Sequence, residues 1–226
     1  MSSLIAIIAI VPPAVAFLLF SIILFLKYRK KRNKATLYFM LAFIFAGIGF
    51  SGWAVRSIFY PAFPDTGIVF FWHKFAYLFS APFCTFFALA ALEFLRPRVI
   101  RKTRNLILFV MPMILLEVGI LFSAPSGVIT VAGQTDGLWS APLSYAVGII
   151  IALYLIAPNY VFIRFLMENP EHLLYGKVML MEIGLIIFTL AAVMEGSKTG
   201  MESWGLFIRW VATLGALLMM YSYIKR

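Results

Sequence analysis

Charge is what this sequence has least of. Only 12% of its 226 residues are Asp, Glu, Lys or Arg, about half the share a soluble domain carries. Hydrophobic residues make up 63% and the mean hydropathy is +0.99. There is too little polar surface to cover a water-soluble globule, so the chain reads as an integral membrane protein. Acids are scarcer than bases, nine against 19, giving a net charge of +10. That excess does not point to nucleic acid, because the positive residues gather in short runs at the ends of apolar stretches, as membrane topology requires. One cysteine, Cys84, excludes an intrachain disulfide. The two histidines, His73 and His172, are predicted on opposite sides of the membrane, which excludes a shared haem or metal, and no histidine box exists. GxSxG and HExxH are absent, and the carboxylates are scattered through different helices. The last apolar span has no lysine for a retinal Schiff base. The midplane is nearly free of charge and no repeat is visible, which counts against an ion pathway or a secondary transporter. No cofactor is expected, and the chain is not read as an enzyme.

What is present is a series of apolar runs. A spanning helix needs roughly 20 mostly apolar residues, and seven runs qualify: Leu4–Leu26, Leu37–Tyr60, Ile68–Leu95, Leu106–Phe122, Pro142–Met167, Val178–Glu195 and Trp204–Tyr223. The predicted fold is all-α, one polytopic bundle of seven transmembrane helices over residues 1–226. The longest outer loop is predicted at about Ser123–Ala141. KYRKKRNK after the first run carries six positives and RPRVIRKTR after the third carries five; Arg164 and Lys177 flank the next connection, and Lys225 and Arg226 end the chain, so fifteen of the 19 fall on one side. That side is expected to be cytoplasmic, with the N-terminus outside and the C-terminus inside. The first run lacks a basic n-region and a small-residue cleavage site, so it is expected to be a retained anchor. Gly47, Gly49 and Gly52, with Ala42 and Ala46, suit close helix packing. Pro12, Pro13, Pro82, Pro112 and Pro158 fall inside predicted spans, where each frees a backbone carbonyl.

The informative charges lie inside the spans. FFWHKFAYLF, residues 70–79, opens the third span at its outer end. Its aromatics fit an interfacial belt, and Lys74 suits snorkelling to the headgroups. His73 shares a helix face with Tyr77, Ser80 and Cys84, at steps of four, three and four residues, and is expected to point into the bundle. Arg209, about two turns into the seventh span with Thr213 and Ala216 on its face, needs a carboxylate, either Glu195 or Glu117. Such a group is either inter-helix glue or the wall of an outward-facing pocket, and His73, Tyr77, Glu117, Glu195 and Arg209 are its candidate residues. A second set, Glu93, Arg164, Lys177 and Glu182, lies toward the inner side. It reads either as snorkelling and interfacial side chains or as an ionic latch.

Over almost its whole length, and most visibly from Gly52 to Leu95, the sequence resembles the seven-transmembrane N-terminal sensor region of histidine kinases. The resemblance is carried by Trp53, FFWHKFAYL, Pro82 in SAPFCTFFALAALEF, Pro112 in VMPMILL, and an outer loop closing on Trp139 and Pro142. It implies a bundle that reads an external or intramembrane signal and passes it to a cytoplasmic output. No phosphoacceptor histidine, ATP lid or PAS-like region follows the seventh span. The expectation is therefore a receptor-like module of the cell membrane that works with a cytoplasmic or membrane protein partner. Besides the lipid bilayer, a homo-oligomer stays open as a partner. An accessory subunit of a membrane complex is the alternative, and a small-solute transporter the third.

Overall fold

A computed structural model describes residues 2–59, 66–95, 97–124, 126–131, 134–197 and 201–224. Expectations placed on Tyr60, Arg96, Lys225 and Arg226 lie outside the described residues. The elements are α1 (Ser2–Lys31), α2 (Lys34–Phe59), α3 (Thr66–Leu95), the short α4 (Pro97–Ile100), α5 (Thr103–Phe122), β1 (Gly127–Val131), β2 (Gln134–Leu138), α6 (Ala141–Glu168), α7 (Tyr175–Ser197) and α8 (Met201–Ile224). Every helix except α4, seven in all, is long and apolar enough to cross a membrane. The chain is an all-α, multi-pass membrane bundle. All five span prolines lie within helices.

Six of the spanning helices close a ring. α2 packs between α1 and α3, α3 meets α6, α7 packs between α6 and α8, and α8 returns to α1. The fifth in the chain, α5, stands outside against α3 and α6. Its Leu108, Leu115 and Phe122 are exposed, as suits a face turned to lipid acyl chains. The middle of the ring is phenylalanine. Phe17 of α1 lies 5.6 Å from Phe43 of α2 and 6.1 Å from Phe188 of α7, ring centre to ring centre, and Phe83 of α3 lies 5.2 Å from Phe188. Edge-on and tilted ring pairs of this kind fill a core without polar atoms. Small residues set the closest crossings. A Cβ on Gly49 would lie 2.8 Å from the Ala76 carbonyl oxygen and 2.8 Å from the Ser80 amide nitrogen of α3, so α2 and α3 touch backbone to backbone.

The connection from α5 to α6 holds a hairpin that the apolar-run reading leaves as loop. β1 and β2 pair antiparallel, with Gly127 opposite Leu138 and Val131 opposite Gln134. GVITV is rich in β-branched residues, which favour a strand. β2 packs on α3 and β1 on α8, so the hairpin lies over one end of the ring. The other end carries the lysines that close α1.

Candidate functional site

The hairpin brings an aspartate into the bundle. Asp136 of β2 is fully buried, and its carboxylate is the hub of a charge cluster at the hairpin end. Arg56, in the last turn of α2, donates from Nη1 to Asp136 Oδ1 at 2.6 Å. Arg209 of α8 donates from Nη2 to Asp136 Oδ2 at 3.1 Å and reaches Glu195 Oε1 of α7 at 3.5 Å. His73 Nδ1 of α3 stands 3.1 Å from Asp136 Oδ1, and the Gly137 amide donates to the same oxygen at 2.9 Å. Arg56 is 1% exposed, His73 0% and Arg209 8%.

Two guanidiniums thus meet two carboxylates in a place shielded from water. Each charge offsets the desolvation of its neighbour, the condition under which buried ions are tolerated. With His73 neutral, the four formal charges cancel. The local sequence explains the placement: His73 lies about two turns into α3 and one turn before Tyr77, while Arg209 sits one turn before Thr213, whose hydroxyl donates back to the Arg209 carbonyl at 2.9 Å.

Aromatic rings enclose the cluster. The His73 ring lies 4.6 Å from Trp139 and 4.9 Å from Tyr77. Trp53 meets Tyr77 edge-on at 5.5 Å. Tyr77 donates its hydroxyl to the Glu195 backbone carbonyl at 3.1 Å, which ties α3 to the end of α7. From the cluster a cavity of about 70 Å³ runs toward the bundle middle. Trp53, Tyr77, Ser80, Cys84, Glu195 and Arg209 supply its polar atoms, and the rest of the wall is apolar. Trp53 Nε1 and Arg209 Nη1 are buried donors with no hydrogen-bond partner among the described residues. A water needs on the order of 10–15 Å³ of such space, so the cavity suits a few waters or a ligand of a few heavy atoms bearing an acceptor.

Four of the five outer candidates gather here: His73, Tyr77, Glu195 and Arg209. Glu117 does not. It is half-buried on the peripheral α5, and Arg209 takes Glu195 and Asp136 as its carboxylates instead. Lys74, expected to snorkel to the headgroups, donates to the Leu121 carbonyl in the last turn of α5 at 3.1 Å. The sequence places Arg56, at the end of the second span, among the charges of the outer level but outside the candidate set, and the reading by apolar runs missed Asp136. Asp136 is one of only two aspartates in the chain, and the signal for it is arithmetic. Arg56 and Arg209 at one level require two carboxylates, and Glu195 alone does not suffice.

The inner candidates do not form one group. Arg164 pairs with Glu168 one turn away at 2.6 Å, both exposed. Lys177 lines a cleft with other lysines. Glu93 is half-buried, and no ion pair among the described residues joins it to Arg164, Lys177 or Glu182. Glu182 is 3% exposed, and neither carboxylate oxygen has a hydrogen-bond partner among the described residues. An ionic latch between these four is therefore not present in this conformation. Among the described residues, no three His, Cys, Asp or Glu side chains are grouped to hold a metal ion.

The contact between hairpin and His73 is tight enough to test. A Cβ on Gly137 would lie 3.0 Å from His73 Cγ and 3.1 Å from Cδ2. Gly137→Ala is expected to push the imidazole off Asp136 and to cost about 1–3 kcal/mol, as overpacking does. Urea unfolding in detergent measures it; a variant as stable as the parent would show that the ring yields freely. No protein-family model matches the chain, and no curated protein matches it either.

Proposed function

We propose that this chain is a signal-sensing, receptor-like module of the cell membrane, with the hairpin and N-terminus outside and the lysine-rich end in the cytoplasm. The observation that carries the reading is Asp136: one carboxylate on a surface hairpin holds α2, α3 and α8 together through Arg56, His73 and Arg209. An external event that lifts the hairpin, or a small acceptor that competes for the Arg209 and Trp53 donors in the cavity, would change the contacts of three helices at once. A signal shifts such a bundle only by binding one arrangement better than the other. The resemblance of the third-span region to histidine kinase sensor regions supports the same reading. So does the distribution of positive residues, which favours a cytoplasmic lysine end. The output is a cytoplasmic partner, either a separate chain or a domain following α8. No catalytic role is assigned to the cluster.

The test is whether the far end follows the cluster. Spin labels on Phe94→Cys of α3 and Ile224→Cys of α8, both exposed at the lysine end, report the helix separation in lipid nanodiscs, with Cys84 replaced by alanine. Arg209→Gln is expected to shift that distance by about 2 Å or more, the scale of helix movements in switching bundles. A distance unchanged by Arg209→Gln removes the relay. The cluster would then be packing glue of an accessory subunit, with the apolar face of α5 as its natural contact surface.

A further inference from the structure

The lysine end of the bundle holds a larger cleft than the cluster does, about 470 Å³. It lies inside the ring, and six helices contribute to its wall: α1, α2, α3, α6, α7 and α8. Lys27, Lys30 and Lys31 from the end of α1 and Lys177 from the first turn of α7 line it, and no carboxylate among the described residues does. Lys27 is fixed, donating to the Tyr223 carbonyl at 3.1 Å with its ammonium 4.1 Å above the Tyr223 ring. No ion pair among the described residues neutralises Lys30, Lys31 or Lys177. The floor is of another character: Phe39, Phe162 and Met181 are buried and apolar. Four like charges around one opening repel each other, and a multiply charged anion is the group that relieves them.

We propose that this cleft is a binding site for a phosphate ester carried on an apolar or aromatic body. The ammonium groups would hold the phosphate and the phenylalanine floor its body. The chemistry is shared by two sources, an anionic lipid headgroup from the adjoining leaflet and a soluble nucleotide. Basic pockets between spanning helices take lipid phosphates in this way. The assignment stands on the cleft alone and does not require that the bundle be a sensor.

Binding is measured on the full chain in detergent by native mass spectrometry, with dioleoyl phosphatidic acid and ATP as separate probes and phosphatidylcholine as the zwitterionic reference. The double variant Lys30→Gln, Lys177→Gln is compared with Arg101→Gln, Arg104→Gln, which removes two exposed charges outside the cleft lining. The cleft variant is expected to bind about thirtyfold more weakly, from the contribution of each lysine near an anionic surface, and the control to bind as the parent does. Phosphatidic acid alone responding in this way identifies a lipid site, ATP alone a nucleotide site, and both together a phosphate site open to either source. Failure of both probes to bind above the reference overturns the proposal, as does an equal loss in the control variant.

Discussion

Asp136→Ala is expected to cost more than any other single change at the hairpin end. Arg56 and Arg209 both point their guanidiniums at this one carboxylate, at 2.6 and 3.1 Å, and both are buried. Removing it leaves Arg56 without its ion pair, and leaves Arg209 only Glu195 at 3.5 Å. Breaking a buried pair from one side costs about 3–5 kcal/mol, because the remaining charge stays desolvated. The same carboxylate is what meets His73 of α3 and Arg209 of α8, so the hairpin loses the anchor that holds it on both helices. Two readouts follow. Chemical unfolding in detergent should show a loss in that range. Hydrogen exchange should rise across residues 127–138 while the phenylalanine core stays protected. The electrostatic origin is isolated by adding Arg56→Met. With the opposing charge gone, the double variant should recover part of the loss, since neutralising both sides of a buried pair is far milder than removing one. Strictly additive effects, or a loss below about 1 kcal/mol, would mean that Asp136 is solvated and that the cluster does not hold the helices.

Why Asp136 escapes a reading by apolar runs is physical. The spans are legible because crossing a bilayer demands a long run of apolar residues, and each run is visible without knowledge of its neighbours. The structure places α6 at Ala141–Glu168 against the expected Pro142–Met167, and α5 at Thr103–Phe122 against Leu106–Phe122. The face shared by His73, Tyr77, Ser80 and Cys84 is legible for a similar reason, since spacing alone fixes it. His73, Tyr77 and Cys84 are buried and Ser80 is half-buried. A loop offers no such periodicity. Whether GVITVAGQTDGLW folds back over the bundle depends on what it meets there, and that is a tertiary matter. The partner of Arg209 shows the same limit. Burial demands a carboxylate for it, but sequence alone leaves Glu117 and Glu195 equal. The choice is made by α5 standing outside the ring, a packing outcome no single helix encodes. The inner set fails for a related reason, because four charges at one depth share no contact unless their helix faces coincide. Arg164 instead found Glu168 on its own helix.

Gly184→Leu carries the second large effect, and it acts below the cluster. α7 and α8 cross at a pair of glycines. A Cβ on Gly184 would sit 2.7 Å from the Gly215 carbonyl oxygen and 2.9 Å from the Met219 amide nitrogen; a Cβ on Gly215 would sit 2.7 Å from the Gly184 oxygen and 2.7 Å from the Phe188 nitrogen. These neighbours are backbone, so nothing flexible can move aside. Neither glycine belongs to a small-xxx-small pattern of glycines in its own helix, in MEIGLI and TLGAL, and only the packed pair reveals the crossing. Close backbone approach replaces the hydrophobic drive that helices lack in lipid, so a leucine must separate the helices or unseat one of them. The expected loss exceeds the about 1–3 kcal/mol of ordinary overpacking, with Gly184→Ala smaller and of the same sign. Arg209 lies less than two turns from Gly215 on α8, and its contact with Glu195 of α7 spans this same crossing. Separation should therefore also weaken the Arg209–Glu195 pair. Gly176→Ala supplies a control of opposite sign. It lies in the first turn of α7 with nothing within 4 Å of its added Cβ, so alanine there should stabilise the helix by about 0.5–1 kcal/mol through reduced backbone entropy. Thermal unfolding of the three variants in one detergent decides the matter. If Gly184→Leu and Gly176→Ala move the midpoint alike, the α7–α8 crossing is not a glycine contact, and the bundle brings Arg209 to Asp136 by some other packing.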